Sequence, residues 1–299
     1  MRVLVILAAL AVAMPAHAAP PTLVALAPAA DARKAIAIGP AGQVYEPDGN
    51  GAWVRTQAGG VAETLVAATS VGGTVIAGAV GSTPFKLKGG AWTSIHLQLK
   101  TKAILGTGSR ALAAVGKSIY ALDSSQPTKL ADAPAPVTAL AGGKAVVAAT
   151  AKGLLRLAGT AWKPIKKAPR SVNALVSDRF ALVDKGVLDL ETMKITSWPA
   201  GLRVTDATVV GGTAVVGVSV RGKTVELVTV KAGKVERETI PFGDVSPIVG
   251  IVGDKAGRVV VATRDGHIGV RDPKGAWTIT EVRDELPAAK PGPAPAESK

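Results

Sequence analysis

The sequence predicts an all-β fold, a seven-bladed β-propeller with four short antiparallel strands per blade. Three observations predict it. A glycine recurs before the third segment of each repeating unit, at Gly42, Gly81, Gly116, Gly153, Gly186, Gly222 and Gly266. The intervals are 39, 35, 37, 33, 36 and 44 residues, with a mean near 37. A tryptophan heads the fourth segment in the same phase, at Trp53, Trp92, Trp162 and Trp277. Beyond the first 20 residues no apolar stripe of 3.6-residue period persists for a dozen residues, so long helices are not expected.

Each unit reads as four runs of four to seven residues rich in Val, Ile, Leu, Ala and Thr, separated by Gly, Asp, Lys or Ser turns. The clearest is Val137-Thr-Ala-Leu-Ala, then Lys144-Ala-Val-Val-Ala-Ala-Thr150, Gly153-Leu-Leu-Arg-Leu157 and Ala161-Trp-Lys-Pro-Ile165. It recurs as Ile248-Val-Gly-Ile-Val252, Arg258-Val-Val-Val-Ala-Thr263, Gly266-His-Ile-Gly-Val270 and Ala276-Trp-Thr-Ile-Thr280. Four strands per ~37 residues is slightly tighter than a WD40 blade. The first strand of each blade should line the central channel, where small residues such as Ala139, Ala174, Ala207 and Gly250 relieve crowding. The tryptophans are read as plugs between neighbouring blades rather than as platforms for stacking a sugar.

The expected boundaries are a signal peptide over 1–18, a propeller over 19–286 and a disordered Pro/Ala tail over 287–299. The blades are placed at about 22–57, 62–97, 102–131, 136–166, 171–198, 203–240 and 247–283. The leader has a positive residue, Arg2, an apolar run from Val3 to Met14 and a small-x-small site at Ala16-His17-Ala18. That apolar run is too short to span a bilayer, so no transmembrane anchor is expected after cleavage. A periplasmic or secreted monomer follows. The fifth blade lacks Gly-Ala-Trp and carries Trp198 later, which leaves its outer strand undefined by sequence.

Composition narrows the chemistry. The 299-residue chain is 47% hydrophobic but only 3% aromatic, has a net charge of +13 and contains no cysteine. Disulfides, thiolate metal sites and catalytic thiols are therefore excluded. Two histidines follow the leader, His96 and His267, and they fall in different blades with no shared carboxylate pattern. A zinc site needs three or four converging ligands. The only asparagines, Asn50 and Asn173, are too few for a channel calcium site. No Gly-x-Ser-x-Gly elbow and no nucleotide-binding glycine loop occur. No catalytic, cofactor-binding or metal residues are assigned, and no cofactor is expected.

The unit at 137–165 resembles the two-component-regulator propeller repeat, within the broader WD40- and quinoprotein-like class of exported bacterial propellers. The matching residues are Val137-Thr-Ala-Leu, Val146-Val-Ala-Ala-Thr150 and Gly153-Leu-Leu-Arg-Leu157, repeated at Val259-Val-Val-Ala-Thr263 with Gly266-His-Ile. In the middle strand Val or Ala replaces the aromatic residue usual in that family. The resemblance implies a propeller that binds a ligand or partner and transfers no catalytic residues. Lys117-Ser-Ile-Tyr-Ala-Leu-Asp123 is similar instead to the quinoprotein-type repeat.

Charge gives the one candidate site. In a propeller, the turns between second and third strands and the connections between blades share one face. That face is assigned Lys117, Lys152, Lys185, Arg221, Lys223 and Arg264 in the turns, and Lys100, Lys102, Lys166, Lys167, Arg170 and Arg203 in the connections. Glu63, Asp132, Asp184, Asp244 and Asp265 oppose them, for a net of +7. The opposite face is expected to be neutral. A basic ring around one channel mouth attracts anions. The expected function is a non-catalytic, exported scaffold that binds a protein in the cell envelope. The alternative is a binder of anionic envelope glycan or lipid headgroup. A hydrolase or lyase with a site in the channel is less favoured, and so is nucleic acid as partner, because few aromatics are available to stack bases.

Overall fold

The structure, a computed structural model, describes residues 21–284 apart from 30, 58, 72, 80–82, 96–102, 108–109, 123–125, 143, 222–223 and 244–245. Its elements are strands and one 3-10 turn, Ala32–Lys34. The first meander is β1 (Ala25–Ala27), β2 (Ile36–Ile38), β3 (Val44–Pro47) and β4 (Trp53–Gln57). The second is β5 (Leu65–Val71), β6 (Thr74–Ala79), β7 (Phe85–Lys88) and β8 (Ala91–Ser94). Next come β9 (Ala103–Thr107), β10 (Arg110–Val115), β11 (Ser118–Ala121) and β12 (Thr128–Asp132). The unit read most clearly from sequence is β13 (Val137–Ala141), β14 (Val147–Thr150), β15 (Gly153–Ala158) and β16 (Ala161–Pro164). It is followed by β17 (Ala174–Leu175), β18 (Phe180–Val183), β19 (Gly186–Asp189) and β20 (Ile195–Ser197). The last two meanders are β21 (Val204–Val210), β22 (Ala214–Arg221), β23 (Thr224–Lys231) and β24 (Lys234–Ile240), then β25 (Ile248–Gly253), β26 (Val259–Thr263), β27 (His267–Arg271) and β28 (Trp277–Arg283).

The all-β propeller is present, but the expected seven blades are not. Five sheets are separate four-stranded blades, β5–β8, β9–β12, β13–β16, β17–β20 and β21–β24. The remaining strands form one eight-stranded sheet in the order β1-β2-β3-β4-β28-β27-β26-β25. The fusion comes from parallel pairing of β28 with β4, with Val282 opposite Trp53 and Arg283 opposite Val54. The pairing is made by the last two residues of the seven-residue strand β28. Glycine spacing counts meanders. It carries no information on whether the outer edges of two meanders pair.

The innermost strands surround the axis, with β1 beside β5 and β25, β9 beside β5 and β13, and β21 beside β25. Four of them carry a bulge near their start, between Leu65 and Ala67, Val137 and Ala139, Val204 and Asp206, and Ile248 and Gly250. A bulge leaves ladder groups on the partner strand unpaired. Two of the bulged residues remedy this with their own side chains. Thr138 Oγ1 donates to the Ala149 carbonyl at 3.2 Å, and Thr205 Oγ1 to that of Val218 at 3.3 Å.

The core lies between neighbouring sheets rather than in one central mass. Val225, Leu227, Phe242 and Val261 pack β21–β24 against β25–β28. Leu112, Ile119, Leu140 and Leu155 join β9–β12 to β13–β16. Each fully buried Val or Leu is worth about 1.5–3 kcal/mol, so the ring is held by many equivalent apolar seams.

Candidate basic face and the closure seam

Two of the turns that carry candidate cations, those of Lys152 and Arg264, are built by threonine. Thr150 and Thr263 end β14 and β26 and are almost fully buried. Thr150 Oγ1 donates to the Gly153 carbonyl at 2.9 Å and accepts from the Lys152 N–H at 3.2 Å. Thr263 Oγ1 likewise bonds the His267 carbonyl at 3.1 Å and accepts from its N–H at 3.0 Å. A buried hydroxyl thus satisfies backbone groups that the tight turn would strand. It also holds Lys152 and Arg264 outward.

Lys117, Lys152 and Lys185 sit in the turns between the second and third strands of three successive blades, and each is exposed. Lys166, Lys167 and Arg170, in the β16–β17 connection, and Arg203, before β21, are exposed on the same face. Arg221, at the end of β22, and Arg264 complete nine cations, none of which forms an ion pair among the described residues. Lys100, Lys102, Lys223 and Asp244 lie outside the described residues, as do Gly81, Gly222, His96, Asp123, the leader and the tail.

Against the nine stand Glu63, Asp132, Asp184 and Asp265. The end of β28 adds Glu281, Arg283 and Asp284, which leaves an excess of four positive charges. Several of these carboxylates are already engaged. Asp132 is held below the usual carboxylate range by Lys129 and Ser118. Burial works against the charge of Asp265, yet hydrogen bonds from Thr263 and His267 hold its carboxyl low. His267 contacts Asp265 through Nδ1 at 3.2 Å and Glu281 through Nε2 at 3.3 Å. Acidic groups therefore gather at the seam, where Arg264 lies beside them, and the other eight described cations form an arc over β9–β24.

The marker tryptophans pack between sheets. Trp53 is 1% exposed and lies among Val252, Val260, Ile268 and Val282 of the last meander. Trp92 Nε1 donates to the Gly42 carbonyl at 2.7 Å. Trp162 packs with Leu112 and Ala114 of the third meander, and Trp277 Nε1 donates to Glu238 at 3.0 Å. In each case the ring meets the preceding meander, which for Trp53 is the last one. Trp198 follows β20 and packs the other way, with Val204 and Val215 of the next sheet. The marker glycines differ among themselves. Gly42, Gly116, Gly153 and Gly266 have positive φ, whereas Gly186 does not and lies instead against the backbone of Thr196.

The opposite face carries a charge network at the seam. Asp254 accepts from Ala32 N–H at 3.2 Å and from Arg258 Nε at 2.8 Å. Arg258 also reaches Asp31 at 3.3 Å, and Asp31 pairs with Arg33 at 2.9 Å. Burial disfavours the Asp254 carboxylate, but the Arg258 and Ala32 donors hold it below its usual range. Sequence reading passed over this network and over Asp206, because both depend on which loops meet across the ring. Among the described residues no cluster of three metal-ligating side chains occurs, and no helix is long and apolar enough to cross a membrane.

Strand order, ring closure and inter-sheet cores settle the architecture. The chain is a β-propeller. Its structure is similar to the WD40 β-propeller domain of Doa1, with TM-score 0.60 and 13% identity over 87% of this chain and 94% of that one. It is equally similar to YCF48 from Cyanidioschyzon merolae, with TM-score 0.60 and 14% identity over 86% and 97%. PorZ of Porphyromonas gingivalis, described as an essential surface component of the type-IX secretion system, aligns with TM-score 0.60 and 14% identity over 93% of this chain and 40% of its own. At these identities the likeness concerns the fold alone. No family model and no curated protein matches the sequence.

Proposed function

We propose that this propeller is a non-catalytic, exported scaffold whose basic arc docks an acidic surface of a protein partner in the cell envelope. The observation that carries the reading is the set of eight exposed cations on one face over β9–β24, none of which forms an ion pair among the described residues. Unpaired surface charge adds little to folding. Held on rigid turns, it gives orientation and a fast, steered encounter with an oppositely charged surface. PorZ, a bacterial surface component, offers a precedent for the fold outside the cell.

The test is capture of partners from an envelope extract by wild-type protein and by Lys117→Glu/Lys152→Glu/Lys185→Glu. The expected result is one reproducible acidic partner, retained at low salt, released at high salt and absent with the triple variant. Binding to vesicles of anionic lipid or to envelope glycan, with no protein captured, would replace the protein partner by those anions. Salt-insensitive capture unaffected by the triple variant would overturn the reading.

A further inference from the structure

The chain has two asparagines, Asn50 and Asn173, and their surroundings differ. Asn173 donates its N–H to the Leu182 carbonyl at 2.8 Å, and the residue after it, Ala174, is paired with Leu182 in β17. Asn50 stands in the exposed β3–β4 turn, on the face opposite the basic arc, and is followed by Gly51. Asp48 Oδ1 accepts from Asn50 N–H at 2.8 Å and from Ala52 N–H at 3.1 Å, and Asp48 N–H donates to the Ala52 carbonyl at 2.9 Å. The turn is thus fastened at both ends, while the Asn50 side-chain amide and the Gly51 N–H bond nothing among the described residues.

The β27–β28 turn of the last meander repeats this architecture. Asp272 Oδ1 accepts from Lys274 N–H at 2.8 Å and Ala276 N–H at 2.9 Å, and Asp272 N–H donates to the Ala276 carbonyl at 2.9 Å. Two differences matter. Lys274 stands where the first turn has Asn50, so the turn itself needs no amide there. Gly275 N–H donates to the Asp272 carbonyl at 3.1 Å, and a Cβ on Gly275 would lie 3.4 Å from Arg271. Gly51 has φ 90°, and no atom lies within 4 Å of a Cβ added there. Its nitrogen is free of a hydrogen bond among the described residues and is flanked by no side chain of its own.

From this contrast we infer that Asn50-Gly51 is a site of spontaneous covalent modification, deamidation through a cyclic imide. Hydroxide takes the Gly51 amide proton, and the nitrogen attacks Asn50 Cγ to close a five-membered ring. The Cγ–Nδ2 bond breaks, and ammonia leaves with a proton from water. A water molecule then opens the ring at Cγ, giving aspartate, or at the backbone carbonyl, giving isoaspartate. No electrons are gained or lost. The neighbouring Asp48-Gly49 pair reacts more slowly, because an ionised carboxylate is a poor electrophile and Asp48 Oδ1 is held by two N–H donors. Around the adjoining seam Asp31, Asp48 and Asp254 are matched by Arg33, Lys34 and Arg258. Conversion of Asn50 therefore leaves one excess negative charge there. This site stands independently of the basic arc.

The experiment is peptide mapping by mass spectrometry of the whole protein, fresh and after incubation at mildly alkaline pH, beside a synthetic peptide of residues 45–55. Asn50 should gain the mass of an amide-to-acid conversion and resolve into aspartate and isoaspartate, while Asn173 stays intact. The rate in the folded protein should lie within about tenfold of the peptide's and rise in proportion to hydroxide. A route through the unfolded chain would instead lag the peptide by about a thousandfold or more. Gly51→Ala should slow conversion at least about tenfold with the circular dichroism unchanged, and Asn50→Gln, which must close a six-membered ring, should slow it likewise. A lag of about a hundredfold or more behind the peptide, equal conversion at Asn173, or a rate indifferent to Gly51→Ala would each overturn the inference.

Discussion

Tyr45 Oη donates a hydrogen bond of 3.0 Å to Asp284 Oδ1, tying β3 to the residue that follows β28. Arg55 of β4 reaches the same carboxylate at 3.1 Å. Together with the β4–β28 pairing, this carboxylate latches the last meander onto the first. Tyr45 is 1% exposed, and removing its hydroxyl with Tyr45→Phe should cost about 1 kcal/mol. Asp284→Ala also leaves the buried hydroxyl and guanidinium without their acceptor, and should cost about 1–3 kcal/mol. Urea unfolding checks both. If Asp284→Ala costs no more than an exposed substitution elsewhere, the latch is not holding the ring.

Burial and the neighbouring carboxylate both push the Tyr45 hydroxyl upward from its usual value. Stability from this group is present below the pH at which a free tyrosine ionises and is lost only as pH rises through the higher folded value. An alkaline absorbance titration should show a tyrosine that ionises together with unfolding. The Tyr45→Phe variant should lack that step.

Asp206 takes the position after the β21 bulge that Ala67, Ala139 and Gly250 fill in the other bulged inner strands. Burial pushes its carboxyl up to about 6, although the Ala207 and Ile251 N–H groups donate to it. Between 3.8 and about 6 the fold keeps a proton that the unfolded chain releases. Stability therefore falls as pH rises through that window, by roughly 3 kcal/mol in all. Asp206→Asn keeps an acceptor and carries no charge. It should raise Tm at pH 8 and match wild type below pH 4. A pH-independent difference between the two proteins would contradict this.

Two marker glycines should respond unequally to alanine. Gly116 has φ 59° with no atom within 4 Å of an added Cβ, so Gly116→Ala costs about 1 kcal/mol of backbone strain. At Gly186 the same Cβ would fall 2.0 Å from the Thr196 carbonyl oxygen, on the paired strand β20. Strand β20 must move, and Gly186→Ala should cost about 3 kcal/mol. Thermal melts of both variants settle the order.

Thr263→Val should destabilise by about 1–2 kcal/mol, because Val fills the space but leaves the His267 N–H and carbonyl without a partner. Thr263→Ser should recover most of that loss. Chemical denaturation of the three proteins checks it.

Much of the local structure was legible. Gly153-Leu-Leu-Arg-Leu157 is β15, and the Gly-Ala-Trp element at 275–277 leads into β28. These features are set by residues close in sequence, alternating apolar positions and turns that need glycine. The threonine that ends β14 and β26, ahead of Gly153 and Gly266, was visible as a pattern, and its reason is the hydroxyl cap. The eight-stranded fusion was not legible, because Trp53 and Val282 are 229 positions apart and nothing in either segment marks it as a partner. The basic face was legible as a list of lysines, but its arc shape required knowing that acids crowd the seam.

The two ends of the described chain are fastened to one turn. Leu23 N–H donates to the Arg264 carbonyl and Val282 N–H to that of Gly266, both at 2.8 Å. The chain thus enters and leaves the ring on the side of the basic arc. A reporter joined directly at either end of the described segment would start on that side and shadow it. Where a reporter is attached therefore decides whether the basic arc can be interrogated.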